Sequence, residues 1–134
     1  MNKLNLTIPD RCITKKNSQQ IVRAKNGHYY LIPKKRYKEY ERSALWSIAQ
    51  QLEWNFETIR AKVAVCALYW LPSKRGWPDL IGLEESTADI LQEAGVIEND
   101  KNIVNWDGSR IAGIDSNNPR TEITVYILEN YIAL

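Results

Sequence analysis

The sequence predicts an α+β fold: a mixed or antiparallel sheet with two helices packed on it, in the order β-ββ-α-β-α-ββ. Three observations lead there. Apolar residues recur at helical spacing in two segments, about residues 34–54 and 78–95. Short stretches of alternating or β-branched residues lie before, between and after them. Asn26-Gly27 and Asp107-Gly108 mark two tight turns, because Asn, Asp and Gly tolerate positive φ. The chain has 134 residues, read as one domain over 1–134 with no room for a second.

Each element has its own reason. Leu4-Asn5-Leu6-Thr7-Ile8 alternates apolar and polar residues until Pro9 stops it, which predicts a first strand. Residues 21–24 and 28–32 flank Lys25-Asn26-Gly27 and form a hairpin that Pro33 ends. From 34 to 54, Tyr37, Tyr40, Ala44, Leu45, Ile48 and Leu52 share a face, predicting the longest helix. Residues 60–71 read as a buried strand closed by Pro72. Pro78 is a favourable first helical residue, Leu80, Leu83, Ile90, Leu91 and Ala94 share a face, and Gly95 caps this second helix. Residues 103–106 and 109–114 form a second hairpin about Asp107-Gly108, and 120–128 is the last strand. Trp46, Trp54, Trp70 and Trp106 are expected to pack in the interior.

Composition excludes several function classes. Hydrophobic residues make up 44% and charged residues 25%, a globular balance that excludes a disordered chain, a coiled coil and a disulfide miniprotein. The longest apolar run, residues 63–71, is strand-sized, short of the ~18–20 residues of a membrane span. Met1-Asn2-Lys3-Leu4-Asn5 lacks a signal-peptide core, so a cytoplasmic location is expected. Cys12 and Cys66 form no CxxC pair, and Cys66, inside an apolar run, reads as a buried thiol. His28 is the only histidine, so a zinc site with several histidines is impossible and hydrolytic chemistry would fall to carboxylates.

The net charge of +2 conceals a segregation. Residues 11–42 hold ten basic side chains against Glu39 and Glu41, a local charge of +8. Residues 79–107 hold eight acids against Lys101, a local charge of −7. Such asymmetry suggests a polyanion-binding surface beside an acidic cluster. The plainer alternative is two solvated faces of opposite sign that attract each other.

Four acids stand where they can meet around a metal. Asp79 opens the second helix, Glu85 and Asp89 lie four residues apart on one side of it, and Asp100 follows its C-terminal loop. All-oxygen ligands suit Mg2+, which keeps positions open for water and phosphate. Each acid also has a structural explanation. Asp79 favours the positive helix end, Glu84, Glu85 and Asp89 form a solvated face, and Asp100 is a loop residue.

The order of motifs is similar to one known family. Thr14-Lys15-Lys16-Asn17-Ser18 precedes a basic hairpin, and Pro33-Lys34-Lys35-Arg36-Tyr37 opens the long helix. Pro78-Asp79-Leu80, Asp89-Ile90-Leu91, Ala94-Gly95-Val96-Ile97, Asn99-Asp100 and Ile103-Val104 follow, with Pro119-Arg120-Thr121-Glu122-Ile123 near the end. Together they resemble the RusA-like Holliday junction resolvases, common in bacteriophages and prophages. The resemblance implies a homodimeric, Mg2+-dependent endodeoxyribonuclease, with Mn2+ as the alternative ion. It implies paired symmetric nicks across a four-way DNA junction, in a bacterial or phage-infected cell, with no membrane and no organic cofactor.

Residue by residue, the family's usual pattern is Asp-Leu-Asp-Asn-Leu, a Lys a turn later, another Asp, then Ala-Gly and Asp-Asp. Asp79 matches the first metal-binding Asp and Asp100 the last. Ile81 replaces the second Asp, Gly82 the Asn and Glu85 the Lys. Glu85 lies four residues after Ile81 on the same helix face, so its longer side chain can reach where the missing Asp would. Glu84 is the second candidate, about 100° away around the helix. The expected catalytic residues are Asp79, Glu85 and Asp100, and the expected metal ligands are these three with Asp89. The alternative is a catalytically degenerate protein that binds junctions without cutting. A third class, unrelated to DNA, is a module whose basic face docks on an acidic protein.

Lys15, Lys16, Asn17, Arg23, Lys34, Lys35, Arg36, Lys74 and Arg75 are the expected DNA contacts, the cations pairing with phosphates and releasing counterions. Tyr29, Tyr30 and Tyr37 are either core residues or platforms for unpaired bases. Trp77 stands where it can meet substrate or the other subunit, and Asp107-Gly108 lies outside the site.

Overall fold

The computed structural model describes residues 2–15, 19–33 and 35–129. Its elements follow the expected α+β course: β1 (Lys3–Pro9), β2 (Gln19–Arg23), β3 (Tyr29–Pro33), α1 (Lys35–Gln51), β4 (Val63–Leu71) and α2 (Leu80–Glu93). A short 3-10 turn (Asp100–Asn102), β5 (Ile103–Asn105), β6 (Arg110–Ile114) and β7 (Arg120–Ile127) complete them. β1 pairs with β7 and β7 with β4, both antiparallel, while β5 and β6 pair with β4 in parallel. The sheet is therefore mixed. β2 and β3 form a separate antiparallel ribbon, in register from Gln19 opposite Pro33 to Arg23 opposite Tyr29.

Strand alternation decides which face the helices cover. Val63, Val65, Ala67, Tyr69 and Leu71 of β4 are all buried, and the face they form continues across the sheet through Ile123 and Val125 of β7 and Leu6 and Ile8 of β1. Against this face pack Tyr40, Ala44 and Ile48 of α1 and Leu83, Ile90 and Leu91 of α2. Each fully buried Leu or Ile contributes roughly 1.5–3 kcal/mol of transfer free energy, which ties both helices to one side.

Four expectations are corrected. The segments flanking Asp107-Gly108 do not form a hairpin, because both dock in parallel on the free edge of β4, which is nine residues long. Between them the chain bulges out at a turn where Gly108 has φ 84 and Asp107 donates its N–H to Asn105 Oδ1 at 2.6 Å. Ser109 bridges the gap in the ladder: its hydroxyl accepts from the Ala67 N–H at 2.9 Å and donates to the Val65 carbonyl at 3.3 Å. Second, α2 begins at Leu80 rather than Pro78, because the Asp79 carboxylate takes the N-cap position. Third, Trp46 and Trp54 are 68% and 97% exposed, Trp46 lying outside the buried stripe of α1 and Trp54 in the turn beyond its end, whereas Trp106 packs partly buried against the core. Fourth, the fully buried thiol is Cys12, with Cys66 only partly covered on the far face of β4.

Candidate functional site

One face of α2 forms the wall of a cleft. Ile81, Glu84, Glu85, Ala88 and Asp89 line it from the helix, and Asp100, Ile103 and Trp106 line it from the β5 side. Its volume is about 460 Å³. Ile81 and Glu85 share this face, as their spacing predicts, and Ile81 presents its hydrocarbon to solvent at 68% exposure. Glu84 lines the same cleft, and partial burial raises its carboxyl above the ordinary range. Asp100 is held in place by its backbone, whose N–H donates to Gln92 Oε1 at 2.8 Å. Asn99 caps the turn that Asp100 begins, accepting from the Lys101 N–H at 2.9 Å.

Asp79 is not among the residues that line this cleft. Its Oδ2 accepts the Gly82 N–H at 3.2 Å, and Oδ1 lies so near Gly82 that a Cβ there would sit 2.8 Å from it. The glycine thus leaves the space into which the Asp79 carboxylate folds. Glu84, Glu85, Asp89 and Asp100 are brought to one cleft, and Asp79 is placed at the end of the helix that carries three of them.

The segment after β1 lies along α2. Asp10, with φ 70, turns the chain out of the sheet, a conformation Asp tolerates better than most residues. Ser86 of α2 then donates to the Ile13 carbonyl at 2.7 Å, Thr14 contacts the Gly82 position, and Lys15 Nζ meets Asp89 Oδ2 at 2.9 Å. Lys15 also stands 5.7 Å from the centroid of the Tyr37 ring. Tyr37 itself is 1% exposed, which removes it as a base-stacking platform.

A second cleft opens beside Pro78, at the entry to α2. Arg11, Thr14, Arg36, Gly76, Trp77 and Pro78 line its walls, with Cys12 and Ile13 beneath. Arg11 Nη2 donates to the Gly76 carbonyl. Burial, then the neighbouring charge of Arg36, lowers the pKa of Arg11. Lys74 and Arg75 are exposed on the loop that supplies Gly76 and Trp77. Sequence reasoning missed Arg11 as a site residue. It was one cation in a basic block, and nothing in its spacing set it beside Arg36 or the loop at Gly76.

The remaining expected contacts are scattered. Arg23 is exposed at the end of β2, and Lys35 is exposed on α1 with Glu39 at 3.7 Å. Lys16, Asn17 and Lys34 lie outside the described residues.

Among the described residues, carboxylates alone line the acidic cleft as charged groups, a donor set whose chemistry fits Mg2+ or Mn2+. Among the described residues no three Asp, Glu, Cys or His side chains are gathered closely enough to enclose an ion. Among them, too, no helix is long and apolar enough to cross a membrane.

Residues 13–126 match the family described as Endodeoxyribonuclease RusA. No curated protein matches the chain. The matched span contains α1, β4, α2 and β5, and with them every residue that lines the acidic cleft. On that match, which takes in most of its length, the chain belongs to the RusA endodeoxyribonuclease family.

Proposed function

We propose that this chain is a Mg2+-dependent, structure-selective endodeoxyribonuclease that resolves four-way DNA junctions by paired symmetric nicks, with Mn2+ as the alternative ion. It acts as a homodimer in the cytoplasm of a bacterial or phage-infected cell. The observation that supports this reading best is the position of α2, in a chain of an endodeoxyribonuclease family, with a carboxylate-lined cleft along one face and an arginine-lined cleft at its entry.

Glu85 and Asp100 are the residues assigned to hold the ion, with Asp89 and Glu84 beside them and Asp79 at the helix end. When bound, such an ion activates water and neutralises charge on the leaving oxygen in phosphodiester hydrolysis. The chain's own groups do the remaining work. Lys15 screens Asp89, Gln92 fixes the backbone of Asp100, and the basic side chains offset the repulsion between DNA and the acidic cleft. A two-fold dimer matches the pseudo-symmetry of a four-way junction and permits paired nicks.

The test is incubation of an end-labelled synthetic junction with protein and Mg2+. Paired nicks are expected, abolished in Glu85→Gln and Asp100→Asn while junction binding is retained; absence of cleavage at every protein concentration sinks the proposal. A second reading, a junction binder that does not cut, is favoured by Ile81 in the cleft and by the Lys15–Asp89 pair, which occupies one of the carboxylates. It predicts tight, salt-dependent and metal-independent junction binding without nicking.

A further inference from the structure

We propose that Arg11 and Arg36 together form a seat for one phosphodiester of bound DNA, at the entry to α2 and distinct from the carboxylate cleft. The proposal rests on the reading of the chain as a DNA-acting protein and adds to it a named phosphate subsite.

The geometry is that of a cleft in which Arg11 is partly buried and to which the exposed Arg36 is joined as one wall. The space, about 290 Å³, is walled by three separate parts of the chain: the segment after β1, the first turn of α1, and the loop before α2. Arg11 is partly buried there and anchored by its bond to the Gly76 carbonyl. Gly76 has φ +64, and a Cβ on it would lie 3.4 Å from Arg11 Nη2, so a bare backbone turn brings this carbonyl to the guanidinium. A guanidinium carries five N–H donors, so one carbonyl leaves most of them for a ligand.

Charge balance indicates the ligand. Two guanidinium groups in one cleft repel, and among the described residues neither forms an ion pair. Asp10 and Glu39 border an adjoining depression with Arg11 and Arg36, yet Glu39 has its ion pair with Lys35 instead. The depressed pKa of Arg11 reflects the same crowding, since burial and Arg36 both disfavour its charge. An anion removes that penalty. Guanidinium forks match phosphate oxygens in planar, bidentate geometry, which an ammonium does not provide. Lys74 and Arg75, on the loop that forms the cleft's edge, supply further positive charge for a ligand with repeating negative charges. A DNA backbone has that pattern.

The test is junction binding by fluorescence anisotropy in EDTA, between about 50 and 200 mM salt, where each lost phosphate contact makes the negative slope of log K against log salt shallower by ~0.9. Arg11→Gln and Arg36→Gln are each expected to make the slope shallower by about one contact, and the double variant by no more than either single one, because the seat needs both guanidinium groups to hold its one phosphate. The loss should persist on a junction whose arms end in closed hairpins without terminal phosphates. Wild-type slopes in both variants overturn the seat while leaving DNA binding intact. Losses that add to two contacts overturn the shared seat, and a loss that vanishes on closed arms overturns the internal phosphodiester. Failure of the wild-type chain to bind any DNA instead removes the functional reading on which the seat depends. Arg11→Gln gives up the Gly76 bond, so thermal unfolding is followed in parallel. Should that variant not fold, Arg36→Gln decides alone, since its side chain makes no hydrogen bond among the described residues.

Discussion

A buried hydroxyl relay joins α2 to the sheet, and its direction can be worked out. Tyr69 of β4 and Thr87 of α2 are both fully buried, with their oxygens 2.7 Å apart. Thr87 Oγ1 also lies 2.9 Å from the Leu83 carbonyl, which can only accept. The single Thr87 proton is therefore committed to Leu83, and Tyr69 must donate to Thr87. Thr87→Val removes the acceptor and leaves the Tyr69 hydroxyl buried without a partner, a cost of ~1–3 kcal/mol. Tyr69→Phe removes only the donor, and Thr87 keeps its bond to Leu83, so the cost is ~0.5–1.5 kcal/mol. The double variant removes both groups and should cost less than the sum of the two. At about 2.1 cal/mol/K per residue over 134 residues, a 2 kcal/mol loss lowers Tm by roughly 7 °C. Urea unfolding of the four proteins measures the cycle, provided the m-values agree. Strict additivity, or a larger loss in Tyr69→Phe than in Thr87→Val, refutes the assigned direction.

Other outcomes follow from single sites. Glu84 ionises above the ordinary 4.5 because burial disfavours its charge, so the unfolded chain ionises first and folded stability falls as pH rises through that window. Glu84→Gln should therefore raise Tm at neutral pH in metal-free buffer, with the gain fading below about pH 4.5; an equal gain at both pH values contradicts this. Burial pushes the Cys12 thiol up, so a thiol reagent should label Cys66 in the folded protein and Cys12 only on unfolding, as peptide mapping by mass spectrometry will show. Gly82→Ala forces the Asp79 carboxylate from its cap. The lost cap, ~0.5–2 kcal/mol, is largely offset by ~1 kcal/mol of helix propensity, so urea unfolding should show a net change within about 1 kcal/mol.

Local patterns were legible in the sequence wherever burial is one-sided. The strict alternation of β4 and the apolar stripe of α1 are written in residue order, and Asn26-Gly27 does turn the ribbon, with Gly27 at φ 87. Pairing partners were not legible. Whether residues 103–114 fold on themselves or on β4 depends on the free edge of a strand some forty positions away, a matter of tertiary competition rather than propensity. The site divides in the same way. Ile81 and Glu85 share a face because helical geometry requires it, whereas the place of Arg11 follows from a left-handed turn at Asp10 that no periodicity announces. Exposure of Trp46 was equally hidden, since an indole is as compatible with a helix's outer face as with its core, and that of Trp54 followed from α1 ending at Gln51 rather than reaching it.

The broken edge of β4 has a kinetic consequence. β4, α2 and the returning β5 form a parallel crossover, so β5 gains its partner only after α2 has been laid across the sheet. Its three residues contribute few ladder bonds, and it carries one rim of the carboxylate cleft through Ile103. Amide exchange should accordingly be faster at β5 than at the centre of β4, with opening free energies well below that of global unfolding. The wall opposite Glu84 and Glu85 is then cheaper to shift than the centre of the sheet. A ligand that must draw separated carboxylates together would meet less resistance there.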